Sequence, residues 1–324
     1  METNGKISKR LTYLDIAKGI GIILVVIGHC IPDASTPAGV SRPLFKILFQ
    51  VIYSFHMPLF FFISGYLASL NGLQIKDKAL AIKKKAKRLL IPYFFVGLCY
   101  MPLKILLGSF ANKPYDIHNL WKLCIGVNPD GELWFLYALF VISTIAIIYG
   151  RKITKIELFA TGILTLTCPI LPSVTTNLFY FFLGSYMSLE VPNFFQKIKF
   201  REALLDLAVF VIANCLAICY GYNSAFCLVT ATSGIGFCLY VSNCLSQCGC
   251  RTVNLLEKLG IFSMDIYILS DIIKIPFRMI LWNRLHLYRA AFFVCTFAAI
   301  ALSYIIGKYI IRKNRWLKLL IFGE

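Results

Sequence analysis

Charge is scarce in this sequence. Asp, Glu, Lys and Arg together make 15% of 324 residues, against 59% hydrophobic. With a mean hydropathy of +0.74, that composition excludes an ordinary soluble globular domain and points to a polytopic membrane protein. No low-complexity tract, internal repeat, soluble catalytic domain or long linker interrupts the chain, so one integral membrane domain over residues 1–324 is expected. A cleavable leader does not fit either. The first apolar segment is too long, carries charges and lacks a small-residue cleavage site, and is expected to remain as the first transmembrane helix. Cysteine is not lacking, at 12 residues, but most lie within apolar segments, where they act as small hydrophobes and offer no disulfide framework. Cys244, Cys248 and Cys250 cluster in a loop expected in the cytoplasm. Without a nearby histidine or a second pair, no metal site is expected there.

Acidic residues number only 15 against 33 Lys and Arg, a net charge of +18. Their placement argues against nucleic acid: roughly two-thirds of the basic residues fall at the termini and in alternate loops, the pattern of cytoplasmic segments. The densest run, Lys76, Lys83, Lys84, Lys85, Lys87 and Arg88, suits anionic headgroups and equally a phosphorylated cytosolic ligand.

Apolar windows near residues 11–31, 44–69, 89–110, 133–149, 153–172, 175–190, 203–221, 223–245, 259–281 and 289–311 are each about long enough to span roughly 30 Å of hydrocarbon. They predict an all-α integral membrane protein of about ten transmembrane helices with both termini cytoplasmic. The links between the fifth and sixth and between the seventh and eighth are short enough to allow re-entrant alternatives. One longer outer loop, residues 111–132, carries Asp116, His118 and Asp130, either as a binding loop or as a connector.

Three ionisable residues stand inside the first window: Asp15, Lys18 and His29. At 100° per residue, Lys18 and His29 differ in heading by about 20° and Asp15 and His29 by about 40°, so all three share one stripe. Each would cost roughly 2.5–3.5 kcal/mol against lipid, which predicts a bundle interior or a water-filled cavity. A plainer account pairs Asp15 with Lys18 and hydrogen-bonds His29 to a neighbouring helix. The second window holds Tyr53, His56 and Pro58, then Ser64 and Gly65. A proline kink beside His56 would open a polar pocket, or the histidine would merely bridge two packed helices.

These residues resemble the acyltransferase type 3 family of membrane acyltransferases, and within it the fucose 4-O-acetylase-like branch. The likeness rests on Tyr13 to Ile22 (YLDIAKGIGI) leading to Gly28-His29, on Phe55 to Leu67 (FHMPLFFFISGYL), on Leu133 to Leu136 (LWFL) and, more weakly, on Leu259 to Leu269 (LGIFSMDIYIL). It implies a membrane O-acyltransferase, an O-acetyltransferase, moving an acyl group from cytosolic acetyl-CoA or another acyl-CoA to a hydroxyl of a surface polysaccharide or its lipid-linked precursor, in a bacterial cytoplasmic (inner) membrane. Two positions depart from the family pattern. Lys18 stands where many members carry arginine, keeping the charge without the bidentate fork, and Ser270 stands where the late motif often ends in histidine.

The residue chemistry suits that reaction. A neutral imidazole at hydrogen-bond distance can take the proton from a hydroxyl as it attacks a thioester, and His29 and His56 are the candidate catalytic residues. An acyl-imidazole route is the alternative. Lys18 lies about 16 Å from His29 along the helix, from eleven residues at roughly 1.5 Å each, so its expected role is donor binding, with Asp15 orienting it. Near the outer face, Glu132, Trp134 and Tyr137 offer a carboxylate beside aromatic rings for a sugar, or else an interfacial aromatic belt. Asp271, Lys274 and Arg278 share one face of the ninth window and are read as a self-neutralising ladder outside the site. No metal is expected. The other class that fits is a transporter or flippase, whose path would also be lined by polar groups on broken helices, and a non-sugar acceptor would leave the chemistry intact.

Overall fold

Apolar, period-3.6 segments become helices wherever they are long enough, and among the described residues of this computed structural model (11–31, 43–70, 77–106, 117–168 and 171–324) no strand occurs. Lys76 and Asp116 lie outside those residues. The helices are α1 Thr12–Cys30, α2 Pro43–Tyr53, α3 His56–Leu70, α4 Lys78–Leu106, α5 Trp134–Tyr149, α6 Lys155–Thr167 and α7 Pro172–Glu190. They continue as α8 Phe194–Lys197, α9 Phe200–Tyr220, α10 Ser224–Ser246, α11 Arg251–Ile261, α12 Ser263–Arg278, α13 Tyr288–Tyr309 and α14 Arg315–Phe322.

Among the described residues, seven stretches are long and apolar enough to cross a bilayer: Thr12–Cys30, Pro43–Leu70, Lys78–Leu106, Gly131–Tyr149, Phe200–Tyr220, Ser224–Ser246 and Tyr288–Lys313. The expected windows at 153–172, 175–190 and 259–281 are α6, α7 and the α11–α12 region. With 13 residues in α6 and 16 in α12, these helices fall short of the roughly 20 residues a span requires. α7 has 19 residues but interleaves Ser, Thr and Asn with its apolar ones.

The charged first helix is also the central one. α1 packs against α3, α10, α11, α12 and α13, which is why its ionisable stripe meets protein and not lipid. Two crossings are made at backbone distance by glycine. At the α1–α11 crossing a Cβ on Gly260 would fall 1.7 Å from the Asp15 carbonyl oxygen, and at the α3–α7 crossing one on Gly65 would fall 1.9 Å from that of Phe181. No side chain fits at either point, so helix axes approach closely there.

The second apolar window is broken earlier than its proline suggests. α2 ends at Tyr53, Ser54 and Phe55 form a turn, and α3 starts at His56, which puts Pro58 in the first turn of a new helix. There its missing N–H has no intrahelical partner to lose, so it starts a helix and does not kink one. His56 Nδ1 is 2.7 Å from the Ile52 carbonyl at the end of α2, which also accepts from the Phe55 N–H at 3.3 Å.

At the end of the bundle that holds the start of α1, Arg312 grips the buried Asp265 with two nitrogens at 2.6 and 2.8 Å. Its third nitrogen reaches Glu324 at 2.8 Å, and Arg88 stands 3.7 Å from the same carboxylate group. This cluster joins α12, the 3₁₀ turn Ile311–Lys313 after α13, the segment after α14 and α4.

Candidate functional site

The last turn of α1 carries His29, and the side chains around it come from four other parts of the chain. One is a tightly tied turn before α5, in the sequence Asn128-Pro129-Asp130-Gly131-Glu132. Asn128 donates to the Tyr93 carbonyl at 2.8 Å and accepts from the Asp130 N–H at 3.0 Å; Asp130 in turn accepts from the Glu132 N–H at 3.0 Å. Gly97 of α4 makes room for Asn128, since a Cβ there would lie 2.5 Å from its Oδ1. The Tyr267 hydroxyl of α12 donates to the Glu132 carbonyl. These bonds fix the Glu132 backbone on both sides and turn its side chain into the bundle. Burial, and after it the Asp271 carboxylate, push the Asp130 carboxyl up to about 7.

Glu132 Oε1 stands 3.1 Å from His29 Nδ1, and the Tyr53 hydroxyl is also 3.1 Å from that nitrogen. A carboxylate facing Nδ1 holds the proton there and leaves Nε2 as the lone-pair nitrogen. His56 reaches the same condition by another route, since the Ile52 carbonyl can only accept. Both imidazoles pack edge-on against the Tyr53 ring, with centroids 5.7 Å away for His29 and 4.8 Å for His56. Tyr53 is itself stacked on Phe49. Two imidazoles are thus arranged around one tyrosine at the break between α2 and α3.

The second nitrogen on Glu132 Oε1 is Lys274 Nζ, at 2.5 Å. Lys274 also pairs with Asp271, which accepts from the Tyr100 hydroxyl of α4. Glu132 Oε2 is buried and has no hydrogen-bond partner. A small cleft opens beside this group and is lined by His29, Cys30, Lys274, Arg278 and Trp282 among others. The π-helical turn Met279–Arg284 follows Arg278 and sets the Trp282 ring under its guanidinium, 5.0 Å away. Single π-turns of this kind recur at functional sites.

The residues singled out in the sequence therefore fall into three places. His29, His56 and Glu132 come together. Lys18 and Asp15 pair with each other at 2.6 Å toward the opposite end of α1. Trp134 packs against Phe61 and Phe135, while Tyr137 donates to the Cys124 carbonyl at 3.1 Å and leans on Tyr93, so the carboxylate and the two rings do not share a surface. Sequence reasoning left out Asp271 and Lys274. Their i,i+3 pairing looks complete within one helix, and the available signal was the buried carboxylate of Glu132, which needs a cation from somewhere. Among the described residues no group of three or more His, Cys, Asp and Glu is placed to hold a metal ion.

A helical membrane protein with a carboxylate–imidazole pair at the edge of a cleft, its carboxylate buried, is the class this fold and site define. The chain belongs to the acyltransferase type 3 family, whose acyltransferase domain matches residues 11–308. Its relatives include the nodulation protein NolL of Mesorhizobium japonicum, 33% identical over 172 residues, 51% of this chain and 43% of the relative. The nodulation protein NolL of Sinorhizobium fredii is 30% identical over 235 residues, 68% of this chain and 61% of the relative. The alignments thus span about half the length of these relatives. No solved structure matches the chain.

Proposed function

We propose that this protein is a membrane O-acyltransferase, specifically an O-acetyltransferase of the fucose 4-O-acetylase-like branch, acting from cytosolic acyl-CoA on a saccharide hydroxyl of a surface polysaccharide or its lipid-linked precursor. The observation that carries the reading is the 3.1 Å contact between Glu132 Oε1 and His29 Nδ1. In the reaction, the acceptor hydroxyl gives its proton to His29 Nε2 while its oxygen attacks the thioester carbonyl carbon. The C–S bond breaks, and the proton passes to the leaving thiolate. Glu132 keeps the imidazole in the required tautomer and faces the imidazolium as it forms. At about 4 Å and an effective dielectric of about 20 such a pair is worth on the order of 4 kcal/mol, the scale of the roughly 10²–10⁴-fold that general-base catalysis contributes.

His56, with its Nδ1 held by Ile52, offers a second base within the same aromatic frame. Lys18, balanced by Asp15, meets the donor at the other end of α1, with part of the Lys83–Arg88 run. Trp134 and Tyr137 border the acceptor side and take part through the walls they pack into. The reading includes a single domain over residues 1–324, about ten membrane passes counting α6, α7 and α12 with their flanking turns, cytoplasmic termini and a bacterial inner membrane.

The test is acyl-CoA turnover by the purified protein in nanodiscs with a panel of saccharides, products weighed by mass spectrometry. A gain of one acyl group on a saccharide, lost in His29→Ala and in His56→Ala while both variants still insert, is the expected result. Transport of unmodified saccharide across proteoliposomes without donor, and no mass gain with any donor, overturns the proposal in favour of a transporter.

A further inference from the structure

Lys274 is the cation nearest the carboxylate–imidazole pair, and it lies on a helix that contributes no base. It is 7% exposed. Its Nζ sits 2.5 Å from the same Glu132 oxygen that faces His29, and it also pairs with Asp271 one turn earlier in α12. The Tyr100 hydroxyl donates to the second Asp271 oxygen. The groups run as one chain, Tyr100, Asp271, Lys274, Glu132, His29, through α4, α12, the turn before α5, and α1.

Two roles are open to such a lysine. It can neutralise buried carboxylates, or it can aim one of them. One ammonium stands between two buried carboxylates, so it balances one of them and leaves the other's charge uncompensated. Charge balance alone therefore does not account for the bond to Glu132, which falls on Oε1 while Oε2 stays buried without a partner. A carboxylate held through one oxygen by both an ammonium and an imidazole has its rotation set by those two contacts. Losing the ammonium removes the cation shared by Glu132 and Asp271, leaves those two carboxylates to repel each other, and frees Glu132 to turn away from His29.

We infer that Lys274 is a positioning residue for acyl transfer, holding Glu132 so that Oε1 faces His29, and acting through that carboxylate without touching either substrate. This rests on the proposed function. A residue in this place changes the rate at saturation and not donor affinity, because it acts on the geometry of the base; a misplacement of about 1 Å at such a contact costs on the order of 10²-fold.

The experiment uses the full chain in nanodiscs and three variants: Lys274→Met, Lys274→Arg, and Asp271→Asn combined with Lys274→Met. The double variant removes the whole α12 ion pair, so it inserts and folds without a lone buried charge on that helix. Folding is checked by size-exclusion profile and thermal midpoint. Lys274→Met is expected to lower kcat by about 10²-fold with the acyl-CoA KM within about twofold, and arginine to recover at least a tenth of the wild-type rate. The double variant is expected to match the wild-type folding profile while remaining as slow as Lys274→Met. Recovery of kcat in the double variant overturns the inference, since Lys274 would then serve only to balance Asp271. A rise in KM with kcat unchanged overturns it too. If the wild-type protein acylates no acceptor, the proposed function itself has failed, and that result is separate from any difference among the variants.

Discussion

Between His29 and Lys274 a single carboxylate oxygen serves two nitrogens, and replacing Glu132 by glutamine separates its charge from its shape. The amide keeps the volume and the turn around Asp130, but it carries no charge to meet an imidazolium and can present an N–H to Nδ1 in place of an acceptor. Glu132→Gln should therefore lower the transfer rate by about 10²–10⁴-fold, by analogy with the loss of the orienting carboxylate in a hydrolase triad, with insertion unaffected; an initial-rate assay in nanodiscs decides it. Tyr53→Phe keeps both edge-on ring contacts and removes one hydroxyl, so a loss of less than about tenfold is expected, the scale of one neutral hydrogen bond. At this scale the sequence was legible where a residue violates its surroundings. His29 and His56 stand out because an apolar run has no ordinary use for them. Lys274 did not, because its i,i+3 neighbour satisfies it locally while its second partner is 142 positions away in the chain. Trp134 and Tyr137 follow Glu132 so closely that they invite a shared role, yet one short 3₁₀ turn sends the carboxylate inward and the rings elsewhere.

Helices meet where side chains permit, and this protein permits it most closely at glycine. A methyl group at Gly184 would stand 2.0 Å from the Phe62 carbonyl oxygen, backbone against backbone, so α3 and α7 would have to separate. At Gly162 in α6 the nearest atoms to an added Cβ are on the Phe179 ring at 3.6 Å, an ordinary contact. The same substitution is thus expected to act in opposite directions. Gly184→Ala should cost roughly 1–3 kcal/mol as overpacking, while Gly162→Ala should stabilise by about 0.5–1 kcal/mol through helix propensity. Thermal unfolding of both variants in one detergent checks the pair. Element existence was readable from hydropathy, and the small residues of the first and second windows were visible too. Which helix each glycine faces was not, because the partners at Gly260 and Gly184 are set by tertiary packing. The break before His56 was hidden for a related reason: proline marks a disturbance, and whether it bends a helix or begins one depends on hydrogen bonds from Ser54 and to the Ile52 carbonyl that no pattern reveals.

For the molecule as a whole, the proposed orientation puts the loop after α10 in the cytoplasm. Cys248 and Cys250 are exposed there, while Cys238, back within α10, and Cys295 are buried. In a variant retaining only Cys250, a membrane-impermeant maleimide should label inside-out vesicles and leave right-side-out spheroplasts unlabelled. The reverse pattern would invert the topology and put Lys18 on the side away from acyl-CoA. The ion pair within α12 also bears on how the protein is made. Synthesis at roughly 5–20 residues per second separates Glu132 from Lys274 by about 7–30 s, during which the carboxylate has no lysine to meet. Asp271 and Lys274, by contrast, leave the ribosome almost together and cross into the bilayer as a neutral couple. A chain halted before α12 therefore carries the Glu132 carboxylate without the ammonium that meets it in the finished protein.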